Sequence, residues 1–335
     1  MRALSMLSPG ELAVVEVPEP TGGEGVLLKV EMVGLCGSDL NSYRGNNPMV
    51  TYPRIPGHEI AAIVVEGSTL YSPGTRVTVS PYTYCGRCAA CMNRRFNACQ
   101  FNKTFGVQRD GALVEWLRVP EEKLYISANL SLRELCLVEP LTVGFHAVAR
   151  GRVTAQDAVA VYGCGGVGLG VIAGAAFRGA QTIAIDQDDE KLETARAAGA
   201  AHLINTKRDD VTKRLKEITN GEGPDVVIEA IGLPEIFRSA VEQVAFTGRV
   251  IYIGYAKQPV AYETKLFVQK ELDILGSRNA LPEDFHGVIA MLESGMFPVE
   301  RMISAVVSLD DAPGSIARWA AQPAAVTKIM VHVSA

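Results

Sequence analysis

The spacing of hydrophobic positions changes along the chain. In residues 1–80, Val26, Leu28, Val30 and Met32 alternate with polar or exposed positions, and EIAAIVV (59–65) and RVTVS (76–80) read as further strands broken by Gly and Pro. Beyond residue 150 short apolar runs take over, at Val159–Tyr162, Thr182–Ile185, His202–Ile204, Val226–Ile228, Val250–Ile253 and Leu272–Leu275. They start about 23 residues apart, and helical patterns such as Asp189–Ala198 and Val211–Thr219 lie between most of them. Strands alternating with helices predict an α/β fold with a doubly wound parallel sheet, and six strands complete such a unit. From Arg278 onward the pattern gives one helix (Glu283–Glu293) and two strands, too little to fold alone. The expected organisation is therefore a β-rich domain built from 1–140 and 278–335, interrupted by an α/β domain at 141–277. No repeat or low-complexity segment is visible.

Composition narrows the class. The 335 residues are 48% apolar and 21% charged, as in ordinary soluble proteins, and the formal charge of −5 gives no electrostatic case for nucleic acid or anionic membranes. The N-terminus lacks the charged-then-apolar build of a signal peptide. The longest apolar run, Val167–Phe177, is Gly-rich and far short of the ~20 residues of a membrane span. A cytoplasmic protein with reduced thiols is expected.

Four of the seven cysteines fall in CGRCAACMNRRFNAC, as Cys85, Cys88, Cys91 and Cys99. A redox dithiol needs one C-x-x-C pair beside a βαβ unit, not four thiols in a row. Four thiolates on one loop (81–100) suit a tetrahedral zinc with no open position, hence a structural ion. An iron–sulfur cluster is the alternative.

VAVYGCGGVGLG places Gly163, Gly165, Gly166, Val167 and Gly168 between an apolar strand and a helical stretch. That context favours a loop cradling a pyrophosphate at a helix N-terminus over a plain glycine turn. The next strand ends at Asp186, whose carboxylate can accept hydrogen bonds from both adenosine ribose hydroxyls and repels an added phosphate. No Arg follows among Gln187–Glu190, so NAD is expected rather than NADP, with Lys191 a further ribose candidate.

A reactive metal needs an open site. Cys36, His58 with Glu59, and Glu139 each have an ordinary structural explanation, but together they supply the thiolate, imidazole and carboxylate of a zinc Lewis acid.

In order along the chain, Cys36-Gly37-Ser38-Asp39, Gly57-His58-Glu59, the four-cysteine lobe, Glu139-Pro140-Leu141, Gly163–Gly168 and Asp186 resemble the zinc-dependent medium-chain alcohol dehydrogenases. The similarity is to their sorbitol/L-iditol and sugar-acid (L-galactonate/L-idonate) branch. It implies a GroES-like catalytic domain with an inserted Rossmann domain, and two zinc ions per chain. Cys36 and His58 would hold the catalytic zinc, with Glu59 or Glu139 completing it, and the four cysteines the structural one. The implied reaction is hydride transfer between NAD and a secondary alcohol of a polyol or sugar acid. Threonine or a simple secondary alcohol is the alternative substrate, and a non-catalytic nucleotide-binding protein the alternative class. Gly254 and Ser277 join the expected cofactor site, and Arg278, Asn279 and Tyr43, with Asn46 and Asn47, the substrate site. Relatives often carry a proton-relay His five residues after the ligand cysteine; here Asn41 stands there, leaving Ser38 to pass the proton. The family suggests a homodimer or homotetramer.

Overall fold

The computed structural model describes residues 1–334; Ala335, the last residue of the expected split domain, lies outside the described residues. The chain is α/β and divides into two compact units, Met1–Pro140 together with the segment from Val299, and Leu141–Pro298.

The first unit is built on a seven-stranded sheet. Its strand order is Ala305–Ser308, Ile329–His332, Val26–Leu35, Glu59–Glu66, Arg76–Val79 and Leu124–Ile126, with Trp116–Val119 pairing beside the start of Val26–Leu35. All neighbours are antiparallel except the first two. Strand Val26–Leu35 is central, which explains why its alternating pattern gives way to continuous burial from Val30 onward. Its inward side chains join Ile60, Val64, Val77, Ile316 and Trp319 in one core. A bulge at Glu31 shifts its register against Glu59–Glu66, so that Gly34 faces Glu59 at the sheet's end.

The second unit carries six parallel strands ordered His202–Asn205, Gln181–Asp186, Ala158–Tyr162, Val226–Glu229, Arg249–Tyr252 and Asp273–Gly276. This is the doubly wound order in which the first three strands run outward from the centre one way and the last three the other. The register Tyr162↔Glu229↔Tyr252↔Gly276 brings four strands to a common carboxyl edge. Helix Gly166–Phe177 opens directly after the first strand. Asp188 caps helix Asp189–Ala197, accepting from the amides of Glu190 and Lys191.

The tail differs from the sequence expectation. Strands Ala305–Ser308 and Ile329–His332 do complete the first sheet, but residues 278–298 group with the second unit, and the chain returns only at Val299. Helix Pro282–Glu293 explains this. It buries Phe285, Val288, Met291 and Leu292, seats Gly287 against Phe145, and pairs Asp284 with His146 Nδ1 at 2.8 Å, both side chains buried. No helix among the described residues is long and apolar enough to cross a membrane.

Candidate active site

Strand Val26–Leu35 delivers Cys36, which caps helix Gly37–Tyr43. The neighbouring strand starts at Glu59, so His58 and Glu59 reach the same sheet end. One ligand atom each of Cys36, His58 and Glu59 lie within 4.8 Å of one another. Gly34 makes this possible, since a Cβ there would stand 2.0 Å from Glu59 Oε2. Asp39, almost wholly buried, ties the two ligand segments. It accepts from the Cys36 amide at 2.8 Å and from the Gly57 amide at 3.4 Å. Glu139, on helix Leu132–Arg150, stands outside the 4.8 Å group, and its carboxylate accepts from the Tyr82 hydroxyl.

Burial makes these groups sensitive to one another. Lys328 Nζ donates to both Glu59 oxygens, at 2.5 and 2.6 Å, and to the Leu35 carbonyl at 3.2 Å. Burial opposes charge on His58, but Asp39, the Cys36 sulfur and Glu139 outweigh it and hold its pKa well above the usual value. Burial raises the Glu139 pKa, with His58 opposing and Glu59 adding to the rise. Burial and then Glu139 push the Tyr82 pKa well above 10. His58 Nδ1 and Ser38 Oγ are buried without a hydrogen-bond partner. Acceptors thus outnumber cationic groups in a dry site, and mixed S, N and O donors converge. That chemistry fits a divalent ion such as zinc.

The four-cysteine lobe also fits zinc. Tetrahedral bonds of about 2.3 Å put sulfurs about 3.8 Å apart. Here Cys88 Sγ lies 3.6 Å from Cys91 Sγ and 3.9 Å from Cys99 Sγ, and Cys85 Sγ lies 4.0 Å from Cys91 Sγ. Backbone amides of Cys85, Cys88 and Phe101 donate to sulfurs at 3.3 Å. Amides of Cys91 and Gln100 bring the Cys88 pKa down to about 6, favouring the thiolate a metal needs. All seven cysteines are free, so no disulfide competes.

In the second unit the expected cofactor residues gather at the carboxyl edge of the sheet, where open α/β folds bind ligands. Gly163 follows its strand with φ +95°. At Gly168 a Cβ would lie 1.7 Å from the Gly163 carbonyl, whereas at Gly165, the helix N-cap, it would meet nothing within 4 Å. The loop therefore closes tightly on one side and leaves the other open, as a pyrophosphate cradle requires. Gly254 and Ser277 follow the fifth and sixth strands, and Ser277 Oγ is buried and unpartnered. Glu229, completely buried, accepts from the amides of Ile231 (2.7 Å) and Gly232 (2.5 Å) and fixes the adjacent loop.

The Asp186 carboxylate is fixed by backbone amides. Its Oδ1 accepts from the amides of Gln187 (2.7 Å) and Asp188 (3.1 Å), and its Oδ2 from Cys164 (2.8 Å). Oδ2, with a single amide donor, keeps the greater acceptor capacity. Lys191 is half-buried on the following helix.

The expected substrate residues fall in both units. Tyr43 packs against the core of the first unit, and Asn47 is used locally, donating to Ser42 Oγ at 3.1 Å. Asn46 and Asn41 are exposed. In the second unit Arg278 is exposed and Asn279 has φ +52°. Sequence reasoning gave no role to Asp39, Tyr82 or Lys328. Only Asp39 left a trace, as the acid three residues into a helix after Cys36.

Two family models match, an alcohol dehydrogenase GroES-like domain over residues 22–128 and a zinc-binding dehydrogenase over 166–294. Sorbitol dehydrogenase of Bacillus subtilis strain 168 is 34% identical, covering 99% of this chain and 97% of its own length. Two solved structures superpose with a TM-score of 0.90. One is the alcohol dehydrogenase rspB from Escherichia coli CFT073 complexed with NADH, 28% identical and covering 99% of both chains. The other is a zinc-binding dehydrogenase from Sinorhizobium meliloti 1021 bound to NADP, 30% identical, covering 99% of this chain and 98% of that one.

Proposed function

The chain belongs to the zinc-type medium-chain alcohol dehydrogenases, in the branch with the sorbitol and L-galactonate dehydrogenases, and from that premise we propose that it oxidises a secondary hydroxyl of a polyol or sugar acid with NAD. The observation that carries the reading is the convergence of half-buried Cys36 with buried His58 and Glu59, separate from a four-cysteine site that offers no open position.

Cys36, His58 and Glu59 would hold zinc, which would supply Lewis-acid polarisation of the hydroxyl, with NAD as the hydride acceptor. The chain's own residues prepare that step. Asp39 fixes the segments bearing Cys36 and His58, while Lys328 balances and orients Glu59. Glu139, held by Tyr82, is a nearby acceptor for a water or substrate hydroxyl. Ser38 carries the proton outward, since the Asn41 amide is not basic near neutral pH. Cys85, Cys88, Cys91 and Cys99 hold a second, structural zinc.

NAD is favoured over NADP on charge. Asp186, at the end of the second strand, would meet the adenosine ribose, Gly163, Gly165, Gly166, Val167 and Gly168 would line the pyrophosphate, Lys191 would reach the ribose, and Gly254 and Ser277 would extend the site. Arg278 and Asn279 are the better substrate candidates, because Tyr43 is half-buried against the core of the first unit. A guanidinium suits a carboxylate or vicinal hydroxyls alike. The expected assembly is a homodimer or homotetramer.

Cys36→Ser tests the reading. Zinc should fall from two per chain to one, and NADH formation from polyols and sugar acids should vanish, while NAD binding persists. Surviving turnover would overturn the metal assignment. An Arg278→Ala variant should lose sugar acids selectively if that residue reads a carboxylate.

A further inference from the structure

Beyond Asp186, the turn after strand His202–Asn205 carries a guanidinium that is already engaged. Arg208 Nη1 donates to Asp189 Oδ2 and Nη2 lies beside Asp189 Oδ1, each at 2.8 Å, a fork-to-fork pair. Ordinary exposed pairs wander, and these side chains are 61% and 63% exposed. This one is anchored from below. Asn205, only 3% exposed, donates from Nδ2 to Asp189 Oδ1 at 2.8 Å and accepts the Lys207 amide at 3.0 Å. Its backbone carbonyl also accepts from the amides of Arg208 (3.1 Å) and Asp209 (2.9 Å). The same Asn205 is the register partner of Asp186 on the adjacent strand. Asp186, Asp189 and Arg208 thus cluster around one strand-end pair, Asp189 three residues beyond Asp186 and Arg208 three beyond Asn205.

We propose that Asp189 is a second cofactor-specificity residue: it sequesters the Arg208 guanidinium and so withholds the cation that a ribose 2′-phosphate at Asp186 would need. The inference rests on the reading that Asp186 faces the adenosine ribose. An added phosphate dianion there meets a fixed carboxylate and an already neutralised guanidinium. NAD, with a free hydroxyl at that position, makes no demand on Arg208.

Calorimetric titration of NAD and NADP into the purified protein, Asp189→Asn and Asp189→Asn/Arg208→Gln tests this. Asparagine keeps an acceptor for Asn205 but frees the guanidinium. Asp189→Asn should bind NADP about tenfold tighter with NAD affinity changed less than about twofold, and adding Arg208→Gln should cancel the gain. Unchanged NADP affinity in Asp189→Asn overturns the proposal. So does a gain that survives loss of Arg208, since removal of negative charge alone would then explain it. Equal affinity of the unaltered protein for both dinucleotides is a separate result, and it sinks the NAD preference.

Discussion

Lys328 Nζ sits 2.5 and 2.6 Å from the two carboxylate oxygens of Glu59, and both side chains are buried. Burial alone would lower the lysine pKa, but Glu59 and the Cys36 sulfur reverse the shift and raise it. Removing one partner strands the other charge in a dry site. Lys328→Met should therefore cost about 3–5 kcal/mol of unfolding free energy, and Lys328→Met/Glu59→Gln should recover most of it. Urea denaturation reads both, and a single variant within about 1 kcal/mol of the parent would show that the pair does not hold the site.

Cys88→Ser should separate the two metal sites. One zinc per chain should be lost by elemental analysis and the melting temperature should drop by about 5 °C or more, because a closed four-sulfur site contributes folding energy directly. Retention of two zinc ions would disprove the assignment of the lobe.

Gly168→Ala places a methyl group against the Gly163 carbonyl. The expected loss is about 1–3 kcal/mol of stability and at least about tenfold in NAD affinity. The same substitution at Gly165, where nothing lies within 4 Å, should leave stability unchanged and weaken NAD binding only. Identical behaviour of the two variants would mean that the loop does not cradle the dinucleotide.

Glu121 gives an acid-sensitive contribution with a defined sign. Hydrogen bonds from Ser68, Thr69 and the Leu70 amide bring its pKa from 4.5 to about 2. A carboxylate held low in the folded state stabilises it fully above its unfolded pKa, and that contribution disappears as pH falls from about 4.5 toward 2. Glu121→Gln should flatten stability against pH across that window. Urea midpoints between pH 2 and 7 that keep the parent's slope would argue against it.

The parts of the fold written in local pattern were legible. The six parallel strands begin within a residue or so of their apolar runs; the central ones are buried on both faces and so leave continuous hydrophobic stretches, although the edge strand Asp273–Gly276 is largely exposed. Cys36, His58, Glu59 and Glu139 were readable as a chemical set; the register Gly34↔Glu59 helps bring the first three together, while Glu139 stands outside their 4.8 Å group. Lys328 was not readable. A lysine before an apolar strand is ordinarily exposed, and nothing local announces a carboxylate waiting 269 residues earlier in the chain. Helix Pro282–Glu293 was identified but given to the wrong unit, since an apolar helix face does not say which core it covers. Asp186 was placed correctly at a strand end, but its three amide donors depend on loop conformation that composition does not encode.

Strand Ile329–His332 lies between Ala305–Ser308 and Val26–Leu35 in the first sheet. On the ribosome, then, the N-terminal strands wait unsealed while residues 141–298 are made and can fold as a domain of their own. Lys328 directly precedes strand Ile329–His332, so until it docks, Val26–Leu35 keeps an open edge and the Glu59 carboxylate lacks its cation.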